Sequence, residues 1–157
     1  MNLNSEEITK YIELAKKSHK ERNLDKANQI YKTLINNKIY RPDLLMAYGL
    51  FNMEINNLQI AKNLFNLSIK KYPLLIKPYI LLAEIFRKEK NFNDSYKLLQ
   101  KAKNIEKNNY DIDYNLSIHF KTINLYDDAI FYIDNAIKNK PKNDHYKILK
   151  EDIFSNQ

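Results

Sequence analysis

The stretch Leu58–Pro73, LQIAKNLFNLSIKKYP, belongs to a pattern that recurs along the chain every 34 residues, as from Ala27 to Ala61. The pattern has a large residue, a small residue three positions later, a large or aromatic residue four positions after that, and often a proline at its end. Four copies cover residues 8–143. One copy cannot bury its own apolar side, so copies in register must stack on each other. The periodicity therefore predicts a fold built from repeated units.

Helical spacing of the apolar residues divides the chain into about nine helices. We predict them at about residues 5–22, 25–37, 42–55, 58–72, 78–90, 92–106, 110–123, 126–139 and 143–154. The four prolines lie between these helices or at their first position, where a missing N–H is tolerated. The pair Asn56-Asn57 takes the place of a turn glycine, because asparagine tolerates the left-handed conformation. Short connections then predict antiparallel helix pairs.

Three columns of the repeat indicate how the two helices of one unit pack together. The eighth and twentieth positions are small in every unit, which lets the paired helices approach closely. The twenty-fourth position is large and fills the space beside them. The three columns are Ala15, Gly49, Ala83 and Ser117; Ala27, Ala61, Ser95 and Ala129; and Tyr31, Phe65, Leu99 and Ile133.

These columns resemble the tetratricopeptide repeat (TPR), a unit of about 34 residues that contains two helices. The matching units are residues 8–41, 42–75, 76–109 and 110–143, and residues 143–154 are similar to the capping helix of that family. The resemblance implies an all-α fold, a right-handed α-solenoid, with residues 1–157 forming a single TPR domain. A slightly longer helical repeat that reads RNA bases is the nearest alternative, and the unbroken period argues against it.

The fourth unit departs most from the family pattern. The position that holds tryptophan in the family holds Tyr11, Leu45, Tyr79 and Asp113 here. We expect Tyr114 to take over the packing role at Asp113. Because Asp111 and Asp113 lie at the start of a predicted helix, we assign them to capping and to the helix dipole rather than to catalysis.

Motifs for catalysis and cofactor binding are absent from the sequence. One glycine and no cysteine exclude glycine-rich phosphate loops, thiolate metal sites and a cysteine nucleophile. The histidines His19, His119 and His145 are far apart and form no metal-ligand motif. We therefore expect no catalytic residue, no cofactor and no metal, and a binding protein rather than an enzyme.

The N-terminal residues are polar and periodic, unlike a signal peptide, and the most apolar run, residues 73–86, is too short to span a bilayer. We expect a soluble, cytoplasmic protein. The net charge of +7 is concentrated in the units 8–41 and 76–109. A codon bias toward lysine and asparagine explains this charge most simply, and attraction to an acidic partner or to nucleic acid is the alternative.

In TPR proteins the first helices of the units line a concave groove, so the resemblance assigns a set of groove residues here. They are Ile12, Lys16, His19, Met46, Leu50, Met53, Ile80, Glu84, Arg87, Tyr114, Ile118 and Lys121. An apolar strip flanked by basic side chains favours a protein or peptide ligand that is apolar with acidic flanks. The alternative is that some of these residues pack inside the stack. The clamp by which some TPR domains hold a C-terminal carboxylate is absent from the corresponding positions.

The function that the resemblance implies is a non-catalytic scaffold or adaptor that binds a peptide segment in this groove. The alternatives are a chaperone for an apolar secreted or assembly client, and an accessory targeting subunit of a separate enzyme. Nucleic-acid binding is less favoured. Ile60, Leu64 and Leu67 form a second candidate surface, for self-association, with packing on neighbouring helices as the alternative.

Overall fold

The computed structural model describes residues 3–156, and these residues form nine α-helices and no strand. The helices are α1 (Ser5–Lys20), α2 (Leu24–Asn36), α3 (Pro42–Glu54), α4 (Leu58–Lys71), α5 (Ile76–Lys88), α6 (Phe92–Ile105), α7 (Tyr110–Thr122), α8 (Tyr126–Asn139) and α9 (Asp144–Phe154). The all-α prediction and the helix count are confirmed. Most predicted ends agree with the observed ends to within one or two residues, because the breakers and the apolar period both mark them.

The start of α5 differs from its predicted position. The helix begins at Ile76, and Pro78 is its third residue rather than its first. Proline is tolerated there because the first N–H groups of a helix have no acceptor inside the helix. A proline in the first turn therefore marks the beginning of a helix only to within a few residues.

The described residues fall into two compact units, one up to Pro73 and the other from Leu74. In the N-terminal unit α1 packs on α2, α3 packs on α4, and α1 also contacts α3. In the C-terminal unit α5 pairs with α6, α7 pairs with α8, and α9 packs on α8. Each unit thus contains the helices of two predicted repeats. The single domain over residues 1–157 stays a prediction.

The turn inside each repeat uses the same backbone conformation at the same repeat position. Arg22, Asn56, Lys90 and Asn124 have φ angles of 62°, 60°, 60° and 61°. The N–H of the next residue donates to the carbonyl five residues earlier in every case, as in Asn57 N to Asn52 O at 2.8 Å. This bond closes the first helix of the pair. The prediction for Asn56 is confirmed, and two of the four positions hold a long basic side chain in place of glycine or asparagine.

Small residues lie at the contact between paired helices, as the columns predict. All eight residues of the eighth and twentieth repeat positions are buried. In the N-terminal unit they adjoin an apolar cluster that includes Ile12, Tyr31, Leu45 and Leu64. The Tyr31 and Tyr48 rings stack within it, with centroids 5.1 Å apart. Burial of these side chains supplies the main favourable term for folding.

The last helix, α9, covers the apolar side of α8. Tyr146 and Ile153 are buried in a cluster with Ala129 and Ile133. Ion pairs surround this contact, since Lys150 Nζ lies 2.6 Å from Asp134 Oδ1 and Lys121 pairs with Asp152. Lys150 and Asp152 therefore join α9 to the neighbouring helices α8 and α7.

Candidate functional site

The N-terminal unit brings five of its six predicted groove residues onto the exposed side of α1 and α3. Lys16 and His19 belong to α1, and Met46, Leu50 and Met53 share one side of α3 at helical spacing. Leu50 is 42% exposed, and the two methionines beside it are half-buried. We call these five residues the N-terminal A-helix face. It presents an apolar strip with basic groups at its edge.

One carboxylate organises the basic edge of this face. Glu54 accepts from His19, with Nε2 to Oε2 at 2.8 Å, and also pairs with Arg22. The hydrogen bond from His19 is the main cause that lowers the pKa of Glu54, and the charge of Arg22 adds to it. The His19 ring rests edge-on against Phe51, with centroids 5.0 Å apart. The pair joins the end of α1 to the end of α3.

A cleft of about 360 Å³ lies over this pair, lined by Lys16, His19, Lys20, Arg22 and Glu54. Lys16 also reaches Glu13, with Nζ to Oε1 at 2.7 Å. Within residues 3–156, Lys20 has no ion-pair partner. The cleft therefore carries an excess of positive charge and suits an anionic group of a ligand.

Two predicted groove residues are buried, and the prediction that they line an open surface is wrong. Ile12 is 0% exposed and packs in the apolar cluster of the N-terminal unit with Leu44 and Leu45. Ile80 of α5 is 4% exposed. A repeat position gives the direction of a side chain only approximately, and a long apolar side chain at the margin of a face packs into the core when neighbouring helices leave room.

In the C-terminal unit the predicted residues divide between α5 and α7. On α5, Glu84 pairs with Lys88, with Oε1 to Nζ at 2.7 Å, and the Arg87 guanidinium donates to Thr122 Oγ1 of α7 at 3.5 Å. Partial burial lowers the pKa of Arg87. Ile118 is half-buried on α7.

Two further predicted groove residues on α7 contact the last helix instead. The Tyr114 ring lies 5.0 Å from the ring of Tyr146, and Lys121 pairs with Asp152. The Tyr146 hydroxyl donates to Asp111 Oδ1 at 3.3 Å, and burial is the main cause that raises the pKa of Tyr146 to about 12. Helix α9 therefore occupies part of the surface that the repeat pattern assigns to a ligand.

The proposed self-association surface on α4 is not a continuous exposed patch. Ile60 is 38% exposed and Leu67 is half-buried, but Leu64 is 5% exposed and belongs to the apolar cluster of the N-terminal unit. The prediction is wrong for Leu64, because its side chain packs inward on the neighbouring helices.

The histidines occupy three different environments. His19 binds Glu54, His145 is exposed, and His119 is buried next to the rings of Phe92 and Tyr96. Among residues 3–156, no group of three or more His, Cys, Asp or Glu side chains is placed to hold a metal ion. No helix in this range is long and apolar enough to cross a membrane.

Sequence reasoning missed the environment of Asp113. Its carboxylate is 1% exposed and pairs with Lys103, so it does not cap α7. The cap is Asn109, whose Oδ1 accepts from Asp111 N at 2.9 Å. Burial raises the pKa of Asp113, and the bond and charge of Lys103 oppose that rise. The sequence does contain a sign of this buried pair, because Asp113 is the acidic member of a repeat position that otherwise holds Tyr11, Leu45 and Tyr79.

A comparison of the sequence with protein-family models finds no match, and a comparison with curated proteins finds none. Solved structures, in contrast, are similar over nearly the whole chain. A TPR protein from Parabacteroides merdae superposes with a TM-score of 0.85 at 13% identity, over 96% of this chain and 59% of its own. This chain therefore spans 59% of the length of that neighbour.

Two more solved structures agree with this likeness. PilF of Pseudomonas aeruginosa has a TM-score of 0.80 at 11% identity, over 95% of this chain and 68% of its own. A thermophilic TPR protein of Thermus thermophilus has a TM-score of 0.79 at 10% identity, over 95% of this chain and 82% of its own. Identities this low carry the fold and no more. Helix count, repeat spacing and these superpositions agree, and the chain has the fold of the tetratricopeptide-repeat proteins.

Proposed function

We propose that this protein is a non-catalytic scaffold or adaptor that binds a peptide segment of another protein on the first helices of its repeats. The observation that carries the proposal is Leu50, a large apolar side chain that is 42% exposed between half-buried Met46 and Met53. Exposed apolar surface of this kind, beside a polar rim, is typical of an interaction site.

The chemistry of the rim indicates the character of the ligand. The cleft formed by Lys16, Lys20 and Arg22 adjoins the apolar strip and holds one carboxylate, that of Glu54. An acidic group beside an apolar side chain in the ligand would match both features. A peptide that is apolar with acidic flanks is therefore the partner that we propose for the N-terminal A-helix face.

The methionines favour one alternative within the same class. Met46 and Met53 have flexible, polarisable side chains that adapt to ligands of different shape. A chaperone for an apolar client would use such a surface. Co-expression that yields a stable complex with one client would support the chaperone, whereas exchangeable binding of short peptides would support the adaptor.

Affinity capture from a native extract tests the proposal with a matched pair of variants. Leu50→Asp places a charge in the apolar strip, and Leu125→Asp places the same charge at a leucine that is 47% exposed before α8. We expect Leu50→Asp to lose the captured partner and Leu125→Asp to retain it, with unchanged circular dichroism for both. Equal capture by wild type and both variants would contradict the proposal.

A further inference from the structure

A polar cleft of about 460 Å³ opens in the C-terminal unit between α6, the beginning of α7 and α8. Its lining includes Lys103, Lys107, Asn108, Asp113, Asn135 and Lys138. Asp113 and Lys103 form an ion pair inside it. All of these residues belong to the C-terminal unit, whereas the N-terminal A-helix face belongs to α1 and α3 of the N-terminal unit.

In the N-terminal unit, the positions equivalent to the cleft lining are packed with apolar side chains. Two repeats earlier in the chain, six of the lining positions hold apolar or aromatic residues. They are Ile35, Ile39, Tyr40, Leu45, Leu64 and Leu67. All six belong to the apolar cluster of the N-terminal unit. The backbone of this repeat therefore accepts a dry, packed junction at the place where the C-terminal unit has a polar cleft.

The ion pair of Lys103 and Asp113 gives no advantage for folding over apolar residues at these positions. Asp113 is 1% exposed, and removing a carboxylate and an ammonium group from water costs free energy that their attraction only partly offsets. Apolar side chains of similar volume are often as stable or more stable than such a pair. Where one part of a chain departs from a packing rule that the equivalent part follows, a functional or strained site is the expected reason.

The groups at the rim define the ligand. Within the described residues, Lys107 and Lys138 have no ion-pair partner, so two cations are open to carboxylates. The amides of Asn108, Asn135 and Asn139 can donate to and accept from an extended peptide backbone. Phe131 is 60% exposed at the margin and offers a flat apolar surface.

We propose that this cleft binds an acidic peptide segment of a partner protein, with carboxylates on Lys107 and Lys138 and an apolar side chain on Phe131. The cleft is open, so it suits a segment that lies across it rather than an enclosed small molecule. Amide groups along the rim fit a peptide backbone.

Fluorescence anisotropy with a defined probe tests the proposal. The probe is a fluorescein-labelled peptide of sequence Asp-Glu-Asp-Phe-Glu-Glu-Asp, measured near physiological ionic strength against the amide counterpart Asn-Gln-Asn-Phe-Gln-Gln-Asn. We expect Lys138→Glu to bind the acidic probe at least about tenfold more weakly than wild type. Lys70→Glu is the matched control, because Lys70 is exposed at the equivalent position of the N-terminal unit. It should bind as wild type does.

A second variant separates recognition from stability. Lys103→Ile with Asp113→Leu installs the residues of the N-terminal unit and removes both charges together, so no orphan charge is left. We expect an equal or higher Tm and weaker binding of the probe. Lys138 is exposed, so the charge reversal decides the question even where the double variant folds poorly. Leu50→Asp should leave this binding unchanged, which keeps the two proposed surfaces distinguishable.

Four results would overturn the proposal. The first is wild-type protein that does not bind the acidic probe in preference to its amide counterpart. The second is equal weakening by Lys138→Glu and Lys70→Glu, which indicates attraction by net charge alone. The third is a folded double variant that binds as wild type does. The fourth is binding of a labelled oligothymidylate at this cleft without binding of the peptide, which assigns the cleft to single-stranded nucleic acid.

Discussion

Gly49 of α3 lies so close to the ring of Phe65 in α4 that an added Cβ atom would stand 2.7 Å from the ring Cζ. This is the eighth repeat position against the twenty-fourth within one helix pair. Phe65 is fully buried, so its ring has little room to move. The single glycine of the chain is therefore required by a close approach between helices and not by a turn.

The first prediction concerns Gly49→Ala. Alanine favours a helix interior by up to about 1 kcal/mol over glycine, but overpacking against Phe65 costs about 1–3 kcal/mol. We expect a net loss of stability, measured as a lower urea midpoint. Ala83→Gly at the equivalent position of α5 serves as the reverse change. A Gly49→Ala variant that is more stable than wild type would show that the Phe65 ring moves aside.

The second prediction uses the stacked tyrosines of the N-terminal core. Within the described residues the buried Tyr31 hydroxyl has no hydrogen-bond partner, and burial is the main cause that raises its pKa to about 12. The Tyr48 hydroxyl donates to Asn28 Oδ1 at 3.0 Å. Tyr31→Phe should leave stability unchanged or raise it by about 1 kcal/mol, whereas Tyr48→Phe should lose about 1 kcal/mol. Thermal unfolding of both variants checks this difference, and equal effects would contradict it.

The third prediction concerns pH and His119. Burial lowers the pKa of this imidazole below its ordinary value of 6.5, and the charge of Arg87 lowers it further. The folded state thus favours the neutral ring. The stability that it contributes is complete above about pH 6.5 and is lost as the pH falls from there toward the folded pKa.

Urea unfolding at about pH 7.5 and about pH 5.5 measures this loss. His119→Phe places at this position the residue that α3 has at Phe51, and it should reduce the pH dependence. His145→Gln is the control, since His145 is exposed. A His119→Phe variant with the same pH dependence as wild type would assign the acid sensitivity to other groups.

The fourth prediction concerns the left-handed turn residues. Lys90 adopts a φ angle of 60°, which is unfavourable for a residue with a Cβ atom. Lys90→Gly should stabilise the protein by about 0.5–1 kcal/mol, because glycine adopts this conformation without steric cost. Asn124→Gly should gain less, since asparagine already tolerates the conformation. Differential scanning calorimetry compares the two, and a destabilised Lys90→Gly variant would contradict the argument.

The sequence predicted helices more reliably than surfaces, and the reason is physical. The small residues of the eighth and twentieth repeat positions, such as Gly49 and Ala61, control the contact between paired helices, so the period alone locates them. Exposure depends on what neighbouring helices leave uncovered. For this reason Ile12 and Ile80, assigned to a surface by repeat position, are buried. Leu64, assigned to a surface by its helical spacing from Ile60 and Leu67, is buried as well.

The repeat pattern also did not predict the contacts between side chains of different repeats. His19 binds Glu54 at a separation one position longer than a full period, so a column comparison does not pair them. The pair of Lys103 and Asp113 joins two different columns. Comparing whole sets of positions between repeats would have identified the polar cleft, because five of the six apolar or aromatic residues of the N-terminal unit have polar or charged counterparts there.

One helix arrangement accommodates two kinds of junction at equivalent repeat positions. The junction is apolar where it contains Ile35 and Leu45, and it is charged where it contains Lys103 and Asp113. Side-chain exchange converts one into the other while the period of the repeat stays the same. A chain of this architecture can thus have an apolar junction in one pair of repeats and a polar junction in another, because each repeat contacts only its neighbours. The residues of the polar cleft could therefore be transferred to the equivalent positions of the N-terminal unit by substitution.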